Sequence, residues 1–456
     1  MSEPTRRPLV GLLGAVGVST IGSRMSFLAI PWLVLTSTGS ATLTGLVAFA
    51  EMAPYVAVQA LGGPAIDRLG ARRTSVGTDL VAAMFMGAVP LLWSLNVLSV
   101  PVLAGLVAVA GAARGAGDAA RNILVPGVNT LAAGRIERAS GLYDGVSRLA
   151  TFVALPIAGV LVAVMAAADV LAIDAVSFAL SALIVAALVP AAAQPPRHGE
   201  DQVTEAYLAD LGEGFRFLLK DRLLVAIAAM VLVTNFVDQA GSAVLIPVWA
   251  HDIIHSSVAL GLVGAAFSLG AFAGNAVTTW LAPRLPRRAT YTIGFLVAGA
   301  PRYVGLALIA TLSPVLAIIF VSGLGAGGIN PVLGATGYER VPRHLQARVL
   351  GAIGASAWVG IPFGSLAGGL LVSFAGVRLA LMSAAIVYGL ATLAPLVFPV
   401  WRQMNASPTY PGPLDADPSG RPALPTERQP PATDGPGSKS EQCSDGVSPA
   451  ETAREV

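Results

Sequence analysis

Four ionisable side chains stand deep inside apolar runs long enough to cross a membrane: Arg24, Glu51, Asp238 and Arg302. Glu51 carries the most chemistry. At about 1.5 Å of helix rise per residue it falls near the middle of the run 41–66. An anion is costly there, which suits a carboxyl that takes up and releases a proton. The structural alternative is a neutralised Glu51 paired with Arg24. Asp238, in Thr234-Asn235-Phe236-Val237-Asp238-Gln239, reaches a comparable depth in the second part of the chain and could face the same cavity from the other side. Glu51, Asp238 and Arg24 are therefore the candidates for proton coupling. Arg302 follows Pro301, and the kink expected there turns it toward lipid or a structural partner.

A second group of charges lies near one end of the apolar runs. Asp67 closes one run and Asp79 opens the next. Arg114, Asp118 and Arg121 share a third, and Asp144 and Arg148 open a fourth. Arg114 with Asp118, and Asp144 with Arg148, are four residues apart, so each pair shares a helix face and can form an ion pair. Such pairs are either structural or a set of locks that open when the protein changes state. The stretch 62–74, GGPAIDRLGARRT, belongs to this group. Gly63 and Gly70 allow a sharp turn and close approach, while Arg68, Arg72 and Arg73 hold the turn on the cytoplasmic side.

The elements that position these groups follow from composition. The chain has 456 residues, 55% hydrophobic and only 12% charged, about half the charge of a soluble domain. Its net charge of +2 offers nothing to a nucleic acid, and the single Cys443 excludes an internal disulfide. A hydrocarbon core needs about 20 apolar residues per helix. Twelve runs qualify: 9–35, 41–66, 75–95, 100–122, 141–166, 168–190, 222–249, 257–282, 291–311, 314–337, 346–373 and 377–400. Each must be helical, because lipid leaves no partner for a bare backbone. No cleavable leader is expected, since the first run is long enough to span and no Ala-x-Ala site follows it. Arginines fill alternate loops, with Arg378 the exception, which places both ends in the cytoplasm.

The spans group into two halves. Residues 1–190 form the first and 222–402 the second, joined by a linker at 191–221. In the linker, Val203, Tyr207, Leu211, Phe215, Leu218 and Leu219 recur at helical spacing, as in a helix lying at a membrane surface. The sequence 284–288 after span 8 echoes 68–73 after span 2, and Arg138, Gly141 and Gly159 fall on Arg348, Gly351 and Gly369. Residues 403–456, rich in Pro, Ser, Gly and acids, are expected to be a disordered tail.

The spacing Gly63-x-x-x-Asp67-Arg68-x-Gly70-x-Arg72 resembles the signature between transmembrane helices 2 and 3 of the major facilitator superfamily, with Ala71 where a basic residue is usual. The resemblance implies an all-α membrane protein of twelve helices in two six-helix halves. It also implies that Asp67 braces an inner gate against the start of helix 11, here residues 345–348; Arg114, Asp118, Arg121, Asp144 and Arg148 join that gate as the locks read from their charge and spacing. Residues 1–400 resemble the drug/proton antiporter branch that includes macrolide and enterobactin exporters. The marks are Pro31-Trp32-Leu33-Val34, Asp118-Ala119-Ala120-Arg121 and Gly214-Phe215-Arg216-Phe217-Leu218. Two features depart from it: Ser23 stands beside Arg24 where an acid is frequent, and helix 5 keeps only Pro156 and Gly159 of the antiporter signature.

No nucleotide loop, metal-ligand cluster or nucleophile triad is present, so no cofactor, metal or enzymatic activity is expected. Trp32, Phe49, Asn235, Phe236, Gln239, Phe267, Asn275, Asn330 and Trp358 are the candidates for lining a substrate cavity. The expected protein is a monomer of the inner (plasma) membrane that exports a hydrophobic or amphipathic small molecule in exchange for protons. A metabolite or sugar importer on the same fold, and a non-transporting sensor or lipid-handling protein, remain the alternatives.

Overall fold

The computed structural model describes residues 6–193, 203–281 and 285–405. Ten of its long apolar helices each supply one span: Arg7–Thr38, Ala41–Leu61, Ala71–Ser94, Val100–Leu131, Ile136–Val164, Ala167–Leu188, Arg222–Ile254, Ser257–Leu281, Arg287–Leu308 and Leu312–Arg340. The next apolar run, Arg348–Val397, holds spans 11 and 12. Gly376 divides it with a φ of 78°, a conformation that costs glycine nothing and other residues much. The twelve spans make two six-helix halves. Because their number is even, both ends of the bundle reach one side, here called the terminal face; the other side is the far face.

Local chemistry explains where the spans start and stop. Ser40 caps span 2 by accepting a hydrogen bond from the Leu43 N–H, just after Gly39 ends span 1 in the left-handed region. Asp221 caps span 7 through the Leu223 and Leu224 N–H groups and also accepts a 2.5 Å bond from Arg340. Several spans of the second half are broken. Span 7 carries π-helical turns at Gly241–Leu245 and Ala250–Ile254, and Pro247 lies between them. Span 9 breaks at Gly299 and span 10 at Gly328.

Boundaries differ from the sequence reading where amphipathic turns extend a span beyond its apolar run. Span 4 continues to Leu131. Span 9 starts at Arg287 and ends at Leu308, earlier at both ends than 291–311. The second half also runs past 402, through the turn Pro399–Asn405. Trp401 anchors that turn by stacking on Tyr291, with ring centroids 5.6 Å apart. The expected tail from 406 onward, residues 194–202 of the linker and residues 282–284 lie outside the described residues.

Within the first half, span 1 packs on spans 5 and 6, and span 4 on spans 2 and 3. Within the second, span 8 packs on span 10, span 7 on span 11 and span 9 on span 12. The halves meet through span 2 against span 11 and span 5 against span 8. Glycine makes both seams, and both sit toward the far face. A methyl on Gly45 would lie 2.5 Å from the Ser365 carbonyl oxygen, and one on Gly159 would lie 2.9 Å from the Gly261 Cα. Toward the terminal face Gly141 and Gly145 of span 5, and Gly351 and Gly354 of span 11, have open space where a side chain would be, and an apolar groove opens between spans 2 and 11.

The linker helix, Val203–Lys220, forms as its spacing predicted. The side chains of Val203, Tyr207 and Leu211 lie outside the described set. Leu218 is buried with Leu224, Val349 and Ile353, so the helix is docked on spans 7 and 11. Glu213 pairs with Arg348 there, and Gly214 lies against the Arg348 backbone.

Candidate functional site

Glycine also explains the charge pairs of the first half. A methyl on Gly111 would lie 2.2 Å from the Glu51 carbonyl oxygen, and one on Gly115 2.5 Å from that of Tyr55. Span 4 therefore runs against the backbone of span 2, and Arg114 meets Glu51 in an ion pair. Glu51 is 5% exposed. The partner expected from the sequence, Arg24, is not the one the fold supplies. Nor does Arg114 pair with Asp118 along its own helix. Asp118 accepts from Arg121 at 2.8 Å and from the Tyr55 hydroxyl at 3.1 Å. Arg121, 2% exposed, also reaches both oxygens of Asp79 at 2.8 and 2.9 Å. The Ser181 hydroxyl donates to Asp79 at 2.7 Å. Neighbouring helices offered Arg114 and Arg121 more deeply buried carboxylates, which attract a guanidinium more strongly.

Asp174 of span 6 is a further buried acid, which the sequence reading passed over. It is 0% exposed and accepts hydrogen bonds from Ser26 at 2.5 Å and Ser177 at 3.3 Å. Among the described residues it has no ion-pair partner. Its signal in the sequence was a second acid, five residues past Asp169, inside an apolar span.

The gate motif divides between structure and surface. Gly63–Leu69 is a short helix, and Gly70 turns the chain with a φ of 87°. Arg72 caps the end of span 6 by donating to the Val189 and Ala186 carbonyls, each at 2.6 Å. Arg288, at the matching place in the second half, donates to the Pro395 carbonyl at 3.0 and 2.6 Å and so caps the end of span 12. Asp67 and Arg68 are exposed. Among the described residues Asp67 makes no ion pair, and Arg348 at the start of span 11 is held by Glu213 instead. Asp144 and Arg148 are exposed and, among the described residues, do not pair with each other.

A cavity separates the halves. One compartment, about 410 Å³, is lined by Arg24, Asn235, Asp238, Gln239, Phe267 and Arg302 together with apolar side chains of spans 1, 5, 7, 8 and 11. An adjoining one, about 360 Å³, is lined by Ser19, Thr20, Ser23, Arg24, Tyr55, Arg114, Asp118 and Trp358. Asp238 and Arg302 form an ion pair on the wall of the larger compartment, with the Asp238 side chain 41% exposed. The Arg302 guanidinium lies over three rings: Phe267 at 5.2 Å, Tyr303 at 4.7 Å and Tyr388 at 5.9 Å. The sequence left Arg302 a turn toward lipid or toward a structural partner, and the fold supplies the partner. The break at Gly299 lets the Tyr388 ring pack where a side chain would otherwise sit, and span 9 then presents Arg302 inward.

The other cavity candidates divide by place. Asn235 donates to the Ala357 carbonyl at 2.9 Å and Gln239 to the Ser365 hydroxyl at 3.1 Å, so both line the cavity with their amides engaged. Phe267 and Trp358 also line it. Phe49 lies elsewhere, against Phe363 in an apolar groove of about 700 Å³ between spans 2 and 11. Trp32 packs edge-on against His251 at 5.6 Å. Phe236 abuts Gly360 and Gly364, Asn275 abuts Gly327, and Asn330 is exposed; none of the three lines either compartment.

Two six-helix halves around an internal cavity with charged walls define a membrane transporter. The chain belongs to the Major Facilitator Superfamily, whose family model matches residues 12–240 and again residues 229–433. It is similar to the Multidrug efflux pump Tap of Mycobacterium tuberculosis (strain ATCC 25618 / H37Rv), 30% identical over 411 residues, covering 90% of this chain and 97% of that protein. It is also similar to the protein of the same name from Mycolicibacterium fortuitum, 29% identical over 412 residues, covering 89% of this chain and 99% of that protein. Among solved structures, a bacterial homolog of the human lysosomal transporter Spinster, inward-facing and unoccupied, superposes with a TM-score of 0.69 at 14% identity, covering 90% of this chain and 100% of that one. The nucleoside transporter NupG gives a TM-score of 0.67 at 14% identity, covering 86% of this chain and 100% of that one. At these identities the structural likeness speaks to the fold alone.

Proposed function

We propose that this chain exports a hydrophobic or amphipathic small molecule, of the drug, antibiotic or siderophore-like kind, across the plasma membrane in exchange for protons and by alternating access. The observation that carries this reading is the cavity. It lies between the halves, is shut toward the far face by two glycine seams, and has an ionisable carboxyl, Asp238, on its wall. The full-length likeness to proteins named multidrug efflux pumps supports a drug-like cargo. The arginines of the terminal face favour its placement in the cytoplasm, so the open space beside the first turns of spans 5 and 11 faces the cell interior, where an exporter loads. Asp238 is the better placed proton carrier, because its carboxyl is open to the cavity. Glu51 lies behind the cavity wall and is the second candidate. The amides of Asn235 and Gln239, two of the polar groups an importer would use, are engaged with the protein.

Inverted membrane vesicles test the reading with fluorescent amphiphiles of cationic, neutral and anionic charge. At least one should accumulate when a pH gradient is imposed, and a proton uncoupler should release it. No accumulation of any probe sinks the export reading, and accumulation that ignores the uncoupler sinks proton coupling. In the same vesicles Asp67→Asn should cut transport severely while insertion stays normal. A parental rate in that variant would leave the motif a topology signal only.

A further inference from the structure

We infer that Arg24 anchors an anionic head group, and that the cavity selects amphipathic anions such as carboxylates and phenolates carried on an apolar body. This names the cargo class and rests on the transport reading above.

The argument starts from an unbalanced charge. Arg24 is exposed into the cavity and lines both compartments. Among the described residues it makes no hydrogen bond and no ion pair. A guanidinium cannot discard its charge as a carboxyl can, so it needs an anion or water at membrane depth. The acids around it are already engaged. Glu51 is taken by Arg114, and Asp238 by Arg302. Asp118 gives one oxygen to Arg121 and the other to Tyr55. Asp174 is buried among Ser26 and Ser177. Arg24 is therefore the cation that the protein leaves for something else.

The surroundings say what kind of anion fits. Thr20 and Ser23, a turn or less along span 1, line the smaller compartment, and neither hydroxyl has a hydrogen-bond partner among the described residues. With Arg24 they offer a charged and hydroxylic corner that suits oxyanion oxygens. The larger compartment, on the other side of Arg24, is walled by Leu155, Val263, Phe267 and Ile361. A small inorganic anion would leave that apolar volume filled with water. A molecule with an apolar body and an anionic end uses both compartments at once.

Full-length protein in nanodiscs of uncharged lipid tests this with three probes of one body: pyrenebutyrate, pyrenebutanol and pyrenebutyl-trimethylammonium. The parental protein should bind pyrenebutyrate about tenfold more tightly than pyrenebutanol, as expected for one charge-assisted contact. Arg24→Gln should abolish that ratio while pyrenebutanol still binds, and an unfolding temperature close to the parental one shows that the cavity has stayed folded. Arg24→Lys should keep part of the preference. The inference is overturned if Arg24→Gln leaves the ratio intact, if it weakens both probes equally, or if the parental protein prefers the cation. Sodium sulfate that displaces pyrenebutyrate at equal concentration would assign the corner to a small inorganic anion and overturn the amphipathic class. The two readings fail separately: export of cationic or neutral probes with no role for Arg24 leaves transport standing, whereas Arg24-dependent binding without uphill accumulation leaves the anion site standing.

Discussion

The first half buries three acids, Glu51, Asp79 and Asp174, and holds a fourth, Asp118, at the cavity wall, in a web with Arg114, Arg121 and serine hydroxyls. The second half holds one such pair, Asp238 with Arg302, set among aromatic rings. Yet the halves share their scaffold. Arg72 and Arg288 cap the last span of each half in the same way, and each seam takes a glycine from either half. The two halves share the parts that hold helices together and differ in their charged parts. The difference in exposure gives that contrast a meaning. Three acids of the first half are used up in fixing its spans; Asp118 keeps an open side toward the smaller compartment and Asp238 of the second half one toward the larger. We therefore expect damage to the buried web of the first half to appear as lost stability and damage to Asp238 as lost coupling.

The sharpest break in that comparison is Arg121→Met. It leaves Asp79 buried without its cation and should cost about 3–5 kcal/mol, read as a large fall in the unfolding temperature of the detergent-purified protein. A variant as stable as the parent would show that the web does not hold the first half together. Next comes a pair of conservative changes. Asp238→Asn should stop uphill export while downhill exchange of the same probe persists, and Glu51→Gln should do so less completely. If Glu51→Gln alone stops export, the carrier lies in the first half and the assignment reverses. The smallest effect belongs to Arg287→Ala. Its pair with Glu339 is about two-fifths exposed on both sides, so stability should change by about 1 kcal/mol or less and the change should fade with added salt. A loss comparable to that of Arg121→Met would remove the distinction between buried and exposed charge on which the comparison rests.

The sequence made the spans, their grouping into halves and the linker helix legible, because hydropathy and arginine placement are properties of the chain read in one dimension. The break near 374–376, seen at Gly376, and the echo that places Arg72 and Arg288 at matching caps were legible for the same reason. Pairing was not. Spacing along one helix matches Arg114 with Asp118, but only packing shows that Gly111 and Gly115 bring Glu51 nearer. For Arg302 the sequence left lipid and a structural partner open; the Gly299 break turns it to a partner, Asp238. The aromatic candidates were hard to sort because Trp32, Phe49 and Trp358 stand in equally apolar surroundings. Their sequence context does not distinguish a wall facing a cavity from one facing a neighbouring helix.

The seams that close the far face have a consequence for how the protein senses its surroundings. They are built from glycine Cα atoms and carbonyl oxygens, with the Ser257 hydroxyl donating to the Gly159 carbonyl and Thr42 sharing a hydrogen bond with Ser373 nearby. Nothing in these contacts ionises. These contacts themselves carry no charge for acidity or salt to act on. They yield to bulk, so one added methyl at Gly45 or Gly159 acts on them directly, as a change of buffer does not. A message carried by a proton must reach the glycine contacts from a neighbouring group, in the cavity or at His251, which packs on Trp32 across the halves and pairs with Asp252.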